Sequence, residues 1–363
     1  EAAQGELTAA GVKKRSTVRD RARERGLEPV LGEAVLSKHM RLVANWRDAS
    51  RIRAYAAAEG IDLLHAHLPN DHSIARRAAG APEAPRIVRT SYDGEAMKAT
   101  LRQRRALAAT DALICVSPAV ARDAGERFGY PADRTFTIES PVDTARFDPA
   151  RRADLREAGE RLLGVAPGDF VVGIVARMQT HRRFEVLLEA LRLAAAGLPR
   201  LRAVVIGRGT NQEAVAKEPA RRLGLGEVIR FPGYLEGEDY VAALAALDVK
   251  VFLVPGSDGS CRAVREALAM GRPVIAARRG MLPEIVKDGE TGLVVEDEPA
   301  PLAEAIGALA RDDARRRAMS ARAREDARRR FSIEAAAREV KRAYEATLAR
   351  PRRIAVKDKE VLT

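Results

Sequence analysis

Short β-branched runs alternate along this chain with longer Ala-, Leu- and Arg-rich stretches of helical period, and that alternation restricts the fold more than any other feature. Repeated strand–helix–strand order buries both kinds of apolar face when helices cover a parallel sheet. In the first half, strands read as Ile61–His67, Arg86–Tyr92, Ala112–Ser117 and Arg134–Glu139, with helices near Ser73–Ala79, Ala96–Ala109 and Pro118–Phe128. Pro149–Leu163 reads as a polar connecting helix whose proline sits in the first turn. The alternation then restarts. Strands follow at Phe170–Val175, Leu201–Ile206, Val228–Phe231, Val249–Val254, Pro273–Ala277 and Gly292–Val295. Helices fall near Phe184–Ala195, Gln212–Leu223, Tyr240–Ala246, Arg262–Met270 and Pro301–Ala310, and a terminal helix spans about Ile333–Leu348.

Two Rossmann-like, doubly wound α/β domains are therefore expected: residues 1–165 and 166–331, followed by a return helix over 332–349 and a basic tail over 350–363. The 363 residues suffice for two cores. Glu6–Val12 is the first stretch that reads as a strand, so the strand, tight loop and helix that normally open such a domain are not found.

Composition narrows the function classes. The net charge is +12, yet aromatics are 4% of the chain, which leaves few platforms for stacking bases and disfavours nucleic acid as a partner. The arginine excess reads mostly as solvated helix faces, as in Arg311 to Arg330, where acids are interspersed; peripheral contact with an anionic membrane stays open. No apolar run has the length of a membrane span, and no signal-like apolar core follows Glu1, so a cytoplasmic protein is expected. Two distant cysteines, Cys115 and Cys261, make a disulfide framework improbable.

The chemistry concentrates between Val254 and Val295. The strand ending at Val254 runs into the small-residue loop Pro255-Gly256-Ser257-Asp258-Gly259-Ser260, and a helix is expected to open near Cys261. Ligands of open parallel sheets bind outside the carboxyl ends of strands, where the first amides of the next helix form an anion site. Gly259 admits a diphosphate close to the backbone, Glu266 lies within reach of a ribose hydroxyl pair, and Asp258 could meet sugar hydroxyls. Taken singly, Asp258 reads more readily as a helix cap or turn residue and Glu266 as a solvated helix acid.

The segment as a whole resembles glycosyltransferase family 4, the retaining group 1 enzymes of the GT-B fold. Asp258 and Glu266 have the family's acid spacing, followed by Ala269-Met270-Gly271-Arg272-Pro273-Val274, Pro283-Glu284-Ile285-Val286 and Thr291-Gly292-Leu293-Val294. Asp258 stands where the family usually has Glu. The resemblance implies that Glu266 holds the donor ribose, that Asp258 contacts the transferred sugar, and that the amides of Gly259, Ser260 and Cys261 touch sugar and diphosphate. It also implies that Arg177 and Arg182 direct their charge at the diphosphate, where fixed cations stabilise the departing group. Here Arg182-Arg183 replaces the family's Lys-Gly. Gly207, in the turn Gly207-Arg208-Gly209, and Tyr234 correspond to nucleotide contacts.

The first half resembles the family more faintly. Asp62-Leu63-Leu64-His65-Ala66-His67 is similar to its Asp-x-x-His-x-His strand, but no acid or thiol set of zinc spacing accompanies the histidines, so no metal is expected. Where the family has a site histidine this chain has Tyr92, which with Asp93 becomes the acceptor-side candidate. Ser140-Pro141 replaces Asn-Gly before Val142-Asp143 and Phe147, and the family's amino-terminal glycine-rich loop is absent. The resemblance implies a retaining, metal-independent transferase without a cofactor. Its donor would be a nucleotide-diphosphate sugar, its acceptor unidentified, a cell-envelope glycan or lipid being one class, and its last helix, led by Phe331-Ser332, would return to the first domain. A nucleotide-sugar-binding protein without turnover and a GT-B nucleotide-sugar epimerase are the other readings left open.

Overall fold

A computed structural model describes residues 6–8, 11–13, 26, 41–80, 84–93 and 96–351, so most of the basic tail lies outside the described residues. The chain divides into two units, Glu1–Ile61 with Leu68–Pro85, and Asp62–His67 with Arg86–Thr363.

In the first unit, strands β1 (Glu6–Thr8) and β2 (Gly11–Lys13) pair antiparallel, so the stretch expected as one strand is two. Helices α1 (Leu42–Ala58) and α2 (Pro69–Ala78) pack together. Asn45 and Asn70 exchange amide hydrogen bonds of 2.7 and 3.2 Å, and the Arg53 Nε donates to the Ala78 carbonyl at 3.0 Å. Helix α1 was not anticipated because its buried side is Asn45, Asp48, Ala49 and Ala56, which carries no apolar stripe.

The second unit contains two parallel sheets. The first joins β3 (Leu63–Ala66), β4 (Arg86–Ser91), β5 (Ala112–Cys115) and β6 (Thr135–Thr137) in sequential order. Helices α3 (Leu101–Ala108) and α4 (Pro118–Phe128) connect its later strands. Helix α4 starts where the Ser117 hydroxyl accepts the Val120 amide and Pro118 presets the first turn; it stops at Gly129, whose φ is +62°. After α5 (Leu155–Leu163), the second sheet collects β7 (Phe170–Val175), β8 (Leu201–Ile206), β9 (Ile229–Gly233), β10 (Val249–Phe252), β11 (Val274–Ala277) and β12 (Gly292–Val295). Its helices are α6 (Phe184–Ala195), α7 (Glu218–Arg222), α8 (Gly237–Ala246), α9 (Asp258–Ala269), the short α10 (Leu282–Ile285), α11 (Pro299–Arg311) and α12 (Asp313–Phe331).

The strand order is β12-β11-β10-β7-β8-β9, all parallel. The chain builds outward from β7 in one direction through β9, then crosses back to β10 and builds in the other. The reversal leaves a crevice at the carboxyl ends of β7 and β10, where a doubly wound sheet holds its ligand. Apolar residues on the inner strands are almost wholly buried, Val204, Val205, Val251 and Ile275 among them, as both faces of such a sheet require. Helix α13 (Ile333–Ala349), capped by the Ser332 hydroxyl on the Ala335 amide, returns to the first sheet and packs Ala336, Val340 and Ala343 against Val88, Ile114 and Ile138. Among the described residues no helix is long and apolar enough to cross a membrane.

Candidate functional site

Three loops meet at the carboxyl edge of the second sheet because β10, β7 and β8 are neighbours there. The loop after β7 carries Arg177 and Arg182, the loop after β8 carries Gly207, and the loop after β10 leads into α9. The first two are locked side by side: the Ala176 amide donates to the Ile206 carbonyl and the Met178 amide to the Arg208 carbonyl. A Cβ on Gly207 would lie 2.1 Å from the Ala176 carbonyl oxygen, and φ there is +147°, so only glycine fits. This glycine sets the distance between the two loops.

Arg177 is exposed and forms no ion pair among the described residues. Arg182, half-buried at the end of a single 3-10 turn, keeps a buried Nε without a hydrogen-bond partner among the described residues. A buried guanidinium nitrogen left unpaired is costly, and an incoming phosphate would satisfy it. Arg183 has φ +60°, the left-handed region that favours glycine, and is the sole non-glycine with positive φ among the described residues. It is held there by a 2.8 Å ion pair with Asp297. Replacing the expected glycine therefore leaves the turn intact, with its strain offset by that contact.

The helix opens at Asp258, three residues earlier than the sequence suggested. The Cys261 amide consequently donates to the Ser257 carbonyl at 2.9 Å and belongs to the helix ladder, so it is not one of the free amides expected at this turn. The first-turn amides without intrahelical acceptors are those of Asp258, Gly259 and Ser260. Cys261 is itself fully buried, its sulfur turned toward Gly256.

Both anticipated carboxylates already hold partners. Asp258 accepts from the Arg265 Nη2 at 2.9 Å and from the Ser140 hydroxyl at 2.8 Å. Arg265 is 1% exposed and lies over the Phe331 ring, and Ser140 is the residue that replaced the family's asparagine. Asp258 thereby ties the end of the first sheet to the first turn of α9. Glu266 accepts from the Tyr240 hydroxyl at 2.7 Å and from the Arg262 Nε at 2.8 Å. Burial, with the adjacent Glu266 charge, holds the Tyr240 phenol well above its ordinary pKa, so it acts as a donor. Each carboxylate oxygen keeps a further lone pair, so a ribose could still join Glu266.

Beside Glu266, Lys250 on β10 is wholly buried and its Nζ has no hydrogen-bond partner among the described residues. Burial pushes its pKa down to about 8, an effect partly offset by the Glu266 charge. Sequence reasoning missed Lys250, Tyr240 and Arg265, and marked Ser140 only as a departure from the family's asparagine without a role. For Lys250 the one signal was a lysine inside an otherwise apolar strand.

On the first sheet, Tyr92 follows β4 and its phenol is raised above the ordinary value, first by burial and then by the charge of Asp258, which places the two residues in one electrostatic neighbourhood. Asp93 instead turns back to accept from the Ser91 hydroxyl at 2.6 Å. His65 lies 2.6 Å from the Tyr344 hydroxyl and 2.7 Å from that of Thr90, and burial, with the neighbouring His67 and Arg89, lowers its pKa to about 4. Tyr234 is 48% exposed beside the β8 loop, with the Arg208 guanidinium over its ring.

Residues 158–326 match the family described as Glycosyl transferases group 1, and residues 6–146 match Glycosyltransferase Family 4. The chain is similar to the D-inositol 3-phosphate glycosyltransferase of Nocardia farcinica, 33% identical over 62% of this chain and 50% of the relative. It is also similar to that of Geodermatophilus obscurus, 34% identical over 60% and 49% respectively. The chain thus spans about half the length of these relatives. A solved glycosyltransferase from Rickettsia africae superposes with a TM-score of 0.75 at 18% identity, covering 93% of this chain and 89% of that one. The Anabaena HepE protein in complex with UDP gives 0.69 at 21% identity, covering 90% and 88%. These likenesses are of fold, the GT-B architecture of paired Rossmann-like sheets. With both halves matched by glycosyltransferase families and the sheet edge built as described, the chain belongs to the group 1, family 4 glycosyltransferases of the GT-B fold.

Proposed function

We propose that this chain transfers a sugar from a nucleotide-diphosphate donor to an acceptor hydroxyl with retention of anomeric configuration. The observation that carries this reading is the pairing, across the strand reversal, of cationic side chains lacking acidic partners with the open first turn of α9. A departing nucleoside diphosphate gains negative charge as the glycosidic bond breaks, and preorganised donors stabilise that charge best where water is scarce. Arg177 and Arg182 supply it from the β7 side, and the amides of Asp258, Gly259 and Ser260 from the β10 side. Glu266 then takes the ribose, Asp258 lies beside the transferred sugar, and Gly207 and Tyr234 line the nucleoside.

The chemistry in this reading needs no metal, because arginines and amides occupy the role that a divalent ion and carboxylates fill elsewhere. UDP is the first donor base to try, since the Anabaena HepE protein was solved with UDP and with UDP-glucose. D-inositol 3-phosphate, named in the relatives, is the first acceptor. The test is proton NMR of the product made from α-linked UDP-sugars with that acceptor and a panel of polyols. An α-linked product at the earliest time points supports the reading, whereas a β-linked product contradicts retention and the absence of product across the panel contradicts transfer from UDP-sugars to these acceptors.

A further inference from the structure

Tyr92 occupies the position where a histidine was expected, and the structure gives it a histidine partner instead. The His67 Nδ1 lies 2.8 Å from the Tyr92 hydroxyl, and the two rings stack with centroids 6.0 Å apart and an interplanar angle of 27°. His67 is braced in turn: its ring lies 4.2 Å from that of His65, which is fixed through both nitrogens by Tyr344 and Thr90. His65 lies on β3 and His67 directly follows it, as Tyr92 directly follows β4, which pairs with β3 in parallel register. Helix α13 thereby braces the carboxyl edge of the first sheet through Tyr344.

We propose that His67 is a positioning residue that fixes the Tyr92 hydroxyl as the group meeting the transferred sugar or the incoming acceptor hydroxyl. This rests on the transferase reading above. Tyr92 suits the task because it is 41% exposed, stays protonated, and senses the charge of Asp258 at the start of α9. An unpaired phenol at such exposure would sample several rotamers, and a stacked, hydrogen-bonded neighbour removes most of that freedom at an exposed edge. The tyrosine and the histidine together thus stand in for the single histidine of relatives, with the imidazole one strand removed.

The test is a double-mutant cycle read by calorimetry, comparing UDP with UDP-glucose, and by initial rates of UDP release. The variants are Tyr92→Phe, His67→Phe, the double variant, and His67→Asn, whose amide can occupy the place of Nδ1. UDP affinity is expected to stay within about twofold in all four, because the diphosphate site lies on the other sheet. Each single Phe variant is expected to lower kcat, or the affinity gained from the sugar, about tenfold, with the double no worse than either and His67→Asn recovering most of the loss. Additive losses, or an unimpaired His67→Phe, overturn the role of His67 while leaving the transferase reading intact. A wild-type chain that binds no nucleoside diphosphate or nucleotide sugar in a panel of uridine, guanosine, adenosine and thymidine forms overturns the transferase reading itself.

Discussion

Arg182 carries the clearest energetic signature in the site, a buried guanidinium nitrogen with nothing to donate to. An unsatisfied buried polar group costs about 1–3 kcal/mol, a cost that disappears when an anion arrives. Arg182→Ala is therefore expected to lower kcat/KM on a nucleotide sugar about 100-fold, the scale of losing one preorganised donor to developing charge. Steady-state kinetics of nucleoside diphosphate release checks this, and a variant within threefold of wild type would remove Arg182 from the site.

Lys250 has an unpartnered, wholly buried nitrogen of the same kind but titrates accessibly, at about 8 against an ordinary 10.5. Below about 8 both folded and unfolded chains carry the proton, and the burial cost is fully present. Between about 8 and 10.5 the unfolded chain keeps a proton that the folded chain has lost, so stability rises with pH over that window. Lys250→Met should raise the melting temperature by several degrees at pH 7, with the gap narrowing from pH 8 to 10.5; a lower Tm at pH 7 would contradict the assignment. The residue types at 177, 182, 258 and 266 were readable from the chain, but their present bonds were not. Ser140 and Tyr240 reach Asp258 and Glu266 across sequence separations of 118 and 26, which no local pattern encodes.

Elements were legible wherever local periodicity and burial agreed. Phe170–Val175, Leu201–Ile206, Gly292–Val295, Phe184–Ala195 and Pro118–Phe128 emerge as read, because each is a β-branched run or an amphipathic stretch bounded by turn or cap residues. The extent of α12 was less visible: its buried stripe Met319, Ala323, Ala327 and Phe331 repeats every fourth residue, but the two alanines barely register among arginines. The start of α9 was misplaced because Gly259 and Ser260 read as loop, whereas Asp258 gives the first turn the acid that its dipole favours. The close approach of the β7 and β8 loops yields a prediction at this scale. Gly207→Ala drives a methyl into the Ala176 carbonyl and should destabilise the chain by about 2 kcal/mol or more while displacing Arg177. Denaturant titration and UDP affinity should fall together, and an alanine variant with unchanged midpoint and affinity would show that the loops are not mutually fixed.

At the scale of the whole molecule, strand order decides where the chemistry can lie. The order β12-β11-β10-β7-β8-β9 places the two arginines and the first turn of α9 on either side of the same reversal. Contacts from the first sheet converge there too: Ser140 bonds Asp258, and Glu139 pairs with Arg330, whose Nη2 also donates to the Glu284 carbonyl at 2.8 Å. The alternation in the sequence was enough to foresee two parallel sheets, but the contacts joining them depend on Ser140, which departs from the family's asparagine, and on Arg330, which no motif marks. The most direct test of the account is a crystal structure of the chain soaked with UDP. The diphosphate is expected within hydrogen-bond distance of Arg182 and of the amides of Gly259 and Ser260, at the carboxyl ends of β7 and β10. A diphosphate bound elsewhere, with Arg182 still unpaired, would contradict it.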